Sequence, residues 1–161
     1  MLMACEFRIT RRVEFSETDM AGIVHYSNFF RYMESAEHAF FRSLGHSVVL
    51  KRFDPPLGLP RVHAECEYLQ PLRFEDEVEI HFLVAEKRPK ALGYRFCFRK
   101  MNVDPPLLVA RGRLTVVCVA HHRDGSLKAT HLPPAVADLI EVAPADLLAA
   151  AGADFSQPGG Q

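Results

Sequence analysis

One long amphipathic segment, set among short alternating ones, restricts the fold more than any other feature. Phe29, Phe30, Met33, Ala36, Phe40, Phe41 and Leu44 recur at three- and four-residue steps and so share one face of a helix. Ser27 or Asn28 is suited to cap its start, and Gly45 to end it. A stripe this rich in aromatic rings belongs in a core and needs a broad apolar surface to cover it. The rest of the chain supplies that surface in alternation. Phe7, Ile9, Val13 and Phe15, then Val62, Ala64, Cys66 and Tyr68, then Val78, Ile80, Phe82 and Val84, then Leu92, Tyr94, Phe96 and Phe98 interleave with polar residues at the period of a half-buried strand. A fifth run from Leu107 to Val119 stops at the Arg123-Asp124-Gly125 turn signal. Its continuous apolar character from Leu114 to Val119 predicts burial on both faces, as at a subunit contact.

The order is β-α-β-β-β-β, with connections short enough for antiparallel neighbours. It predicts an α+β domain in which one long helix is wrapped by a curved five-stranded antiparallel sheet. The hotdog and cystatin-like folds both meet this description; the cystatin-like fold usually places its helix nearer the N-terminus. Pro133-Pro134 opens a last stretch where Val136, Leu139 and Ile140 predict one short helix, interrupted by Pro144. One domain over residues 1–149 and a flexible tail over residues 150–161 are expected.

Length and charge exclude several classes. A chain of 161 residues buries one core and not two. Nineteen Lys and Arg against twenty Asp and Glu leave a formal charge of −1, too balanced to capture a nucleic-acid backbone. No apolar run approaches the ~18 residues of a membrane span. The first residues carry no secretory pattern, and the four cysteines form no Cys-x-x-Cys pair, so reduced thiols and a cytoplasmic location are expected. Eight histidines occur without the spacing of metal ligands, and no metal site is expected.

Polar residues concentrate in Glu17-Thr18-Asp19-Met20-Ala21-Gly22-Ile23-Val24-His25-Tyr26-Ser27-Asn28, between the first strand and the helix. Amides at a helix N-terminus carry partial positive charge and stabilise an anionic oxygen, while a carboxylate a few residues upstream faces the same space. That pairing suits attack on a polarised carbonyl, with Asp19 activating a water or attacking directly. By residue type alone, an Asp ahead of a Gly turn is more often a solvated or capping residue.

The string Phe15-Ser-Glu-Thr-Asp19-Met-Ala-Gly22-Ile-Val-His-Tyr26-Ser-Asn-Phe29, followed by Arg31-Tyr-Met-Glu34 and Leu44-Gly45, resembles the hotdog thioesterases of the 4-hydroxybenzoyl-CoA thioesterase type, over roughly Phe7 to Val119. The resemblance implies an acyl-CoA thioesterase with Asp19 as the catalytic carboxylate and the Tyr26 backbone N–H polarising the thioester carbonyl. It implies that Gly22 admits the substrate close to the backbone, that Glu34 matches an acidic position of the 4-hydroxybenzoyl branch, and that Lys87, Arg88 and Lys90 hold the phosphates of coenzyme A. Glu34 is equally a partner for Arg31 or His38. Glu37 is a further candidate, because another branch places its carboxylate on the helix. His25 and His63 are candidate substrate contacts or structural histidines. No cofactor is implied beyond the coenzyme A of the substrate. The acyl group is aromatic, of hydroxybenzoyl or dihydroxynaphthoyl type, or short to medium aliphatic, with Tyr26 leaning toward the aromatic. A homodimer or homotetramer is implied. Two other functions fit the same loop: a hotdog hydratase or dehydratase, which needs an Asp and a His on one site, and a noncatalytic acyl-thioester binder.

Overall fold

The computed structural model describes residues 3–155. Strand β1 (Glu6–Arg12) leads into helix α1 (Asn28–Ser43). After it come β2 (Leu57–Gly58), β3 (Arg61–Tyr68), β4 (Glu77–Lys87), β5 (Ala91–Lys100), β6 (Leu107–Val117), β7 (Val119–His121), β8 (Leu127–Ala129) and two short helices, α2 (Pro134–Ala137) and α3 (Ala145–Ala151). Five strands form one antiparallel sheet in the order β1-β4-β5-β6-β3, and α1 lies against β1, β3, β4 and β6. This is the helix wrapped by a five-stranded antiparallel sheet that the alternation and the single aromatic stripe predict, in the hotdog arrangement that the resemblance implies.

Phe29, Tyr32, Met33, Ala36, Phe40 and Phe41 of α1 are buried against the sheet. Phe40 stacks on Phe82 with ring centroids 4.5 Å apart, and Phe82 meets Phe96 edge-on at 5.5 Å. Such ring pairs add to the area term about 0.5–1.5 kcal/mol each. Gly112 of β6 lies directly beneath the helix, where a Cβ would fall 2.4 Å from the end of Met33. The helix ends as a Schellman turn: Gly45, at φ +80°, donates to the Arg42 carbonyl and His46 to that of Phe41.

Four expectations are corrected. The alternation predicts β1 as far as Phe15, but the strand ends at Arg12. A reciprocal turn, in which Glu14 and Glu17 cap each other's backbone, takes over, and Phe15 is 74% exposed against the edge of Phe74. The apolar run to Val119 does not continue one strand: β7 leaves the main sheet to form a second, three-stranded sheet in the order β2-β7-β8, and Thr115 and Val117 are only half-buried. Neither Ser27 nor Asn28 caps α1 through its side chain, because both side chains are bonded within the preceding loop.

The fourth correction concerns the C-terminus. Pro144 starts α3 instead of interrupting a helix, as its fixed φ and missing N–H allow at a first turn. The tail expected from residue 150 is therefore ordered at least to Phe155. Ala151 and Ala153 are buried with Leu83 and Cys97 on the outer face of the sheet. Arg99 donates to the Ala151 carbonyl and Arg111 to that of Gly152 at 2.6 Å, so two guanidinium groups cap the negative end of α3. Residues 156–161 lie outside the described residues.

Phe82 joins helix to sheet. Phe82→Ala is expected to lower the unfolding free energy by about 3–5 kcal/mol, read from the urea midpoint.

Candidate functional site

The loop between β1 and α1 is held chiefly by Glu17. Its carboxylate pairs with Arg11 at 2.8 Å and accepts from the Glu14 N–H at 2.8 Å. Its carbonyl accepts from the His25 N–H at 2.9 Å and from Asn28 Nδ2 at 2.8 Å. Inside this frame residues 18–24 fold back on themselves: Thr18 bridges Val24, and Gly22, at φ +76°, returns its N–H to the Asp19 carbonyl. Only a residue that tolerates the left-handed region closes the turn without strain.

Asp19 and Tyr26 line one cleft of about 440 Å³, together with Ile23, Val24, Phe29 and the segment from Tyr68 to Leu72. Asp19 is exposed. Its Oδ1 accepts from the Ala21 N–H at 2.8 Å, and Oδ2 has no partner among the described residues. At the start of α1 the N–H groups of Asn28, Phe29 and Phe30 are returned to the carbonyls of His25, Tyr26 and Ser27. The Tyr26 N–H makes no hydrogen bond among the described residues. Asp19, with a free carboxylate oxygen, and Tyr26, with an unpaired N–H, therefore line the same largely apolar hollow. That is the minimum needed to activate a nucleophile at a carbonyl whose oxygen is gripped by a donor.

The other residues singled out in the sequence are not gathered there. Gly22 serves the turn and does not line the cleft. His25 turns Nδ1 to the Ser27 hydroxyl at 2.7 Å and stacks its ring on Tyr26 at 4.4 Å, so it braces the loop. Glu34 borders a separate hollow with Arg31, Arg61 and Ala64, 3.8 Å from His38. His63 lies on the outer side of β3, paired with Glu65 at 3.0 Å. Lys87 donates to the carbonyls of Ala137 and Ile140 at 2.7 and 2.8 Å, and Arg88 pairs with Glu86. These two and Lys90 sit at the end of β4 remote from the cleft; the 11 residues of that strand span about 35 Å. Phe29, one of the residues whose type suits an apolar pocket, does line the cleft, whereas nothing in the sequence marks the segment from Tyr68 to Leu72 as its wall. The Pro after Leu69-Gln70 marks only that β3 stops.

Glu37 is fully buried on α1 and pairs with Arg61 Nη2 at 2.7 Å. A bulge between Arg61 and His63 turns the guanidinium inward, and the Tyr94 hydroxyl faces the same carboxylate. Glu37 Oε2 and Tyr94 Oη nonetheless lack hydrogen bonds of standard geometry. Burial pushes the Glu37 carboxyl above the usual range, with Arg61 opposing. A group so enclosed has no access to the cleft. The four cysteines are free, and burial pushes their thiols up, that of Cys66 to about 12, which argues against a thiolate nucleophile. Among the described residues no three His, Cys, Asp or Glu side chains are placed to hold a metal ion, and no helix is long and apolar enough to cross a membrane.

A helix wrapped by a five-stranded antiparallel sheet, with Asp19 and Tyr26 on one cleft beside the start of the helix, defines a protein of the hotdog fold. The chain belongs to the Thioesterase-like superfamily, whose family profile matches residues 13–140. It is 45% identical over 80 residues to a "Putative esterase" of Aquifex aeolicus, covering 50% of this chain and 62% of that one. It is 31% identical over 101 residues to the 1,4-dihydroxy-2-naphthoyl-CoA hydrolase of Prochlorococcus marinus, covering 57% and 66%. The match thus spans less than two thirds of the length of these curated relatives. Among solved structures, a gentisyl-coenzyme A thioesterase superposes with a TM-score of 0.68 at 30% identity, covering 81% of this chain and 98% of that one.

Arg61 is the charge that compensates buried Glu37. Arg61→Ala is expected to destabilise by about 3–5 kcal/mol at neutral pH by stranding the carboxylate. A carboxyl whose folded-state pKa is raised binds its proton more readily folded than unfolded, so it disfavours the fold as pH rises through that range. Losing Arg61 raises it further. The deficit of the variant should therefore shrink as pH falls, as measured by paired urea titrations of both proteins at several pH values.

Proposed function

We propose that this protein is an acyl-CoA thioesterase that hydrolyses a thioester to the free acid and coenzyme A. The observation that carries the reading is the shared cleft of Asp19 and Tyr26, which sets an accessible carboxylate and an unpaired backbone donor on one hollow. The Tyr26 N–H polarises the thioester carbonyl and holds the oxyanion as the tetrahedral intermediate forms. Asp19 takes a proton from the attacking water and returns it to the departing thiolate, giving acid and thiol. In the other form of the mechanism the carboxylate itself attacks, the thiolate leaves, and water cleaves the resulting mixed anhydride. Neither form uses a cofactor.

An aromatic acyl group suits the walls: Phe29, Tyr68, Leu72 and Pro71 present apolar and ring surface, and two of the three named relatives, the 1,4-dihydroxy-2-naphthoyl-CoA hydrolase and the gentisyl-coenzyme A thioesterase, are named for aromatic thioesters. A hydratase is less well served, because His25 is committed to Ser27 and does not line the cleft with Asp19. A homodimer suits β3, which among the described residues pairs only with β6 and leaves its other edge and Val62 open. Four free thiols fit a reducing, cytoplasmic setting.

Free-thiol release across aromatic and aliphatic acyl-CoAs tests the reading, with aromatic substrates expected to be cleaved fastest. Asp19→Asn should keep the fold and lose about 10²–10⁴ in rate. A variant with near-normal turnover would remove Asp19 from the mechanism, and binding without thiol release would make the protein a carrier of thioesters.

A further inference from the structure

Beyond the ring of His25, 4.4 Å from its own, residue 26 has little to hold it. Its N–H is unpaired, its side chain is 65% exposed, and its carbonyl receives the Phe29 N–H only at 3.4 Å. The shorter bond to that carbonyl comes from across the cleft: the hydroxyl of Tyr68, the last residue of β3, donates to it at 3.0 Å. The Tyr68 ring is itself fixed edge-on against Phe29, with centroids 5.1 Å apart. Burial pushes the Tyr68 phenol well above its ordinary value, so it remains a donor throughout the neutral range.

We infer that Tyr68 is a positioning residue of the thioesterase site, which fixes the backbone at Tyr26 so that its free N–H meets the carbonyl oxygen in the transition state. The inference rests on the thioesterase reading and adds to it a residue 42 positions away in the chain. The geometry gives it a specific task. Tyr68 runs directly into Leu69, Gln70, Pro71 and Leu72, which form the wall opposite the amide. At the Asp19 side that wall is tied to the loop by Val24 N–H donating to the Leu72 carbonyl at 2.8 Å. At the amide side the tie is the Tyr68 hydroxyl. The two bonds together set the width of the cleft between carboxylate and donor. Losing the second leaves the donor in place but free to drift, and an error of about 1 Å in such a group lowers rate by up to about 10²-fold.

The test is steady-state thiol release from benzoyl-CoA by the wild type and by Tyr68→Phe, which keeps the ring against Phe29 and removes only the hydroxyl. The expected result is a kcat lower by about 10-fold, smaller than the 10²–10³ of deleting an oxyanion donor outright, with KM changed less than about twofold. A second readout uses benzoyl-CoA labelled with ¹³C at the carbonyl and bound to Asp19→Asn. Its infrared carbonyl stretch should lie below that of the free thioester, and should move back toward it in the Asp19→Asn/Tyr68→Phe double variant. Wild-type turnover with Tyr68→Phe within about twofold of it in kcat, or an increase in KM alone, overturns the role of Tyr68 and leaves the thioesterase reading standing. No thiol release by the wild type from any acyl-CoA overturns both.

Discussion

The bonds of Glu17 are what the site depends on. A polar loop between a strand and a helix has many conformations open to it, and fixing each residue opposes folding by about 1–2 kcal/mol. Glu17 concentrates the compensation in one residue: its carboxylate fastens the end of β1 through Arg11, and its carbonyl fastens the start of α1 through His25 and Asn28. With both ends held, the short turn around Gly22 has to present Asp19 on one side, and the first turn of α1 has to present Tyr26 on the other. The free Tyr26 N–H follows from this geometry. After it, the Ser27 N–H goes to His25 Nδ1 and the amides of residues 28 to 30 find the carbonyls of residues 25 to 27; before it, the His25 N–H is drawn to the Glu17 carbonyl.

The apolar core and the cleft are one continuous packing problem. Phe29 belongs to both: it meets Phe98 at 5.3 Å inside the sheet and Tyr68 at 5.1 Å on the cleft wall. The rigidity of the wall is therefore supplied by the stability of the core, and the catalytic loop needs no scaffold of its own. The buried Glu37–Arg61 pair is a separate matter. It spends a charge inside the protein to join the middle of α1 to the start of β3, and its carboxylate is shut away from solvent while that of Asp19 is open to it. Two carboxylates within the same strand-loop-helix unit are thus divided by environment, one paired inside the protein and one open to solvent in the cleft.

How much of this is readable from the sequence depends on the range of the interactions involved. The helix and the strands through Val78 and Leu92 are legible because their periodicity is strong and their apolar residues are fully buried. Asp19 stands out because it lies in one dense polar string, while its pairing with the Tyr26 amide comes from the family resemblance; the fold brings both residues to one cleft. Phe15 continues an alternation that the Glu14–Glu17 turn has already ended, a local competition that hydrophobic pattern alone does not register. The segment from Ala145 to Ala153 reads as a tail because small alanines carry little pattern; they are ordered by a sheet face and two arginines from β5 and β6. Lys87 has the look of an anion-binding lysine, yet its ammonium is taken up by carbonyls 50 and 53 residues further along. Tyr68 is invisible as a site residue for the same reason: only the folded sheet brings its hydroxyl to Tyr26.

The openness of the cleft bears on how the proposed chemistry operates. Donors and charges stabilise a developing oxyanion far better when water is kept out, since the effective dielectric falls as the site is enclosed. In one chain Met20 and Tyr26 stand in solvent and Asp19 is exposed, so an acyl group bound there would be covered on the side of Phe29 and Leu72 and open on the other. Tyr68, at the end of the unpaired edge of β3, stands where the covered and open sides meet. A second copy laid along that edge would satisfy the free backbone groups of β3 and would also lie beside the open face. Sheet pairing and desolvation of the site would then be served by the same surface, and for the proposed chemistry a single chain offers the carboxylate and the donor without the dry surroundings in which they are strongest.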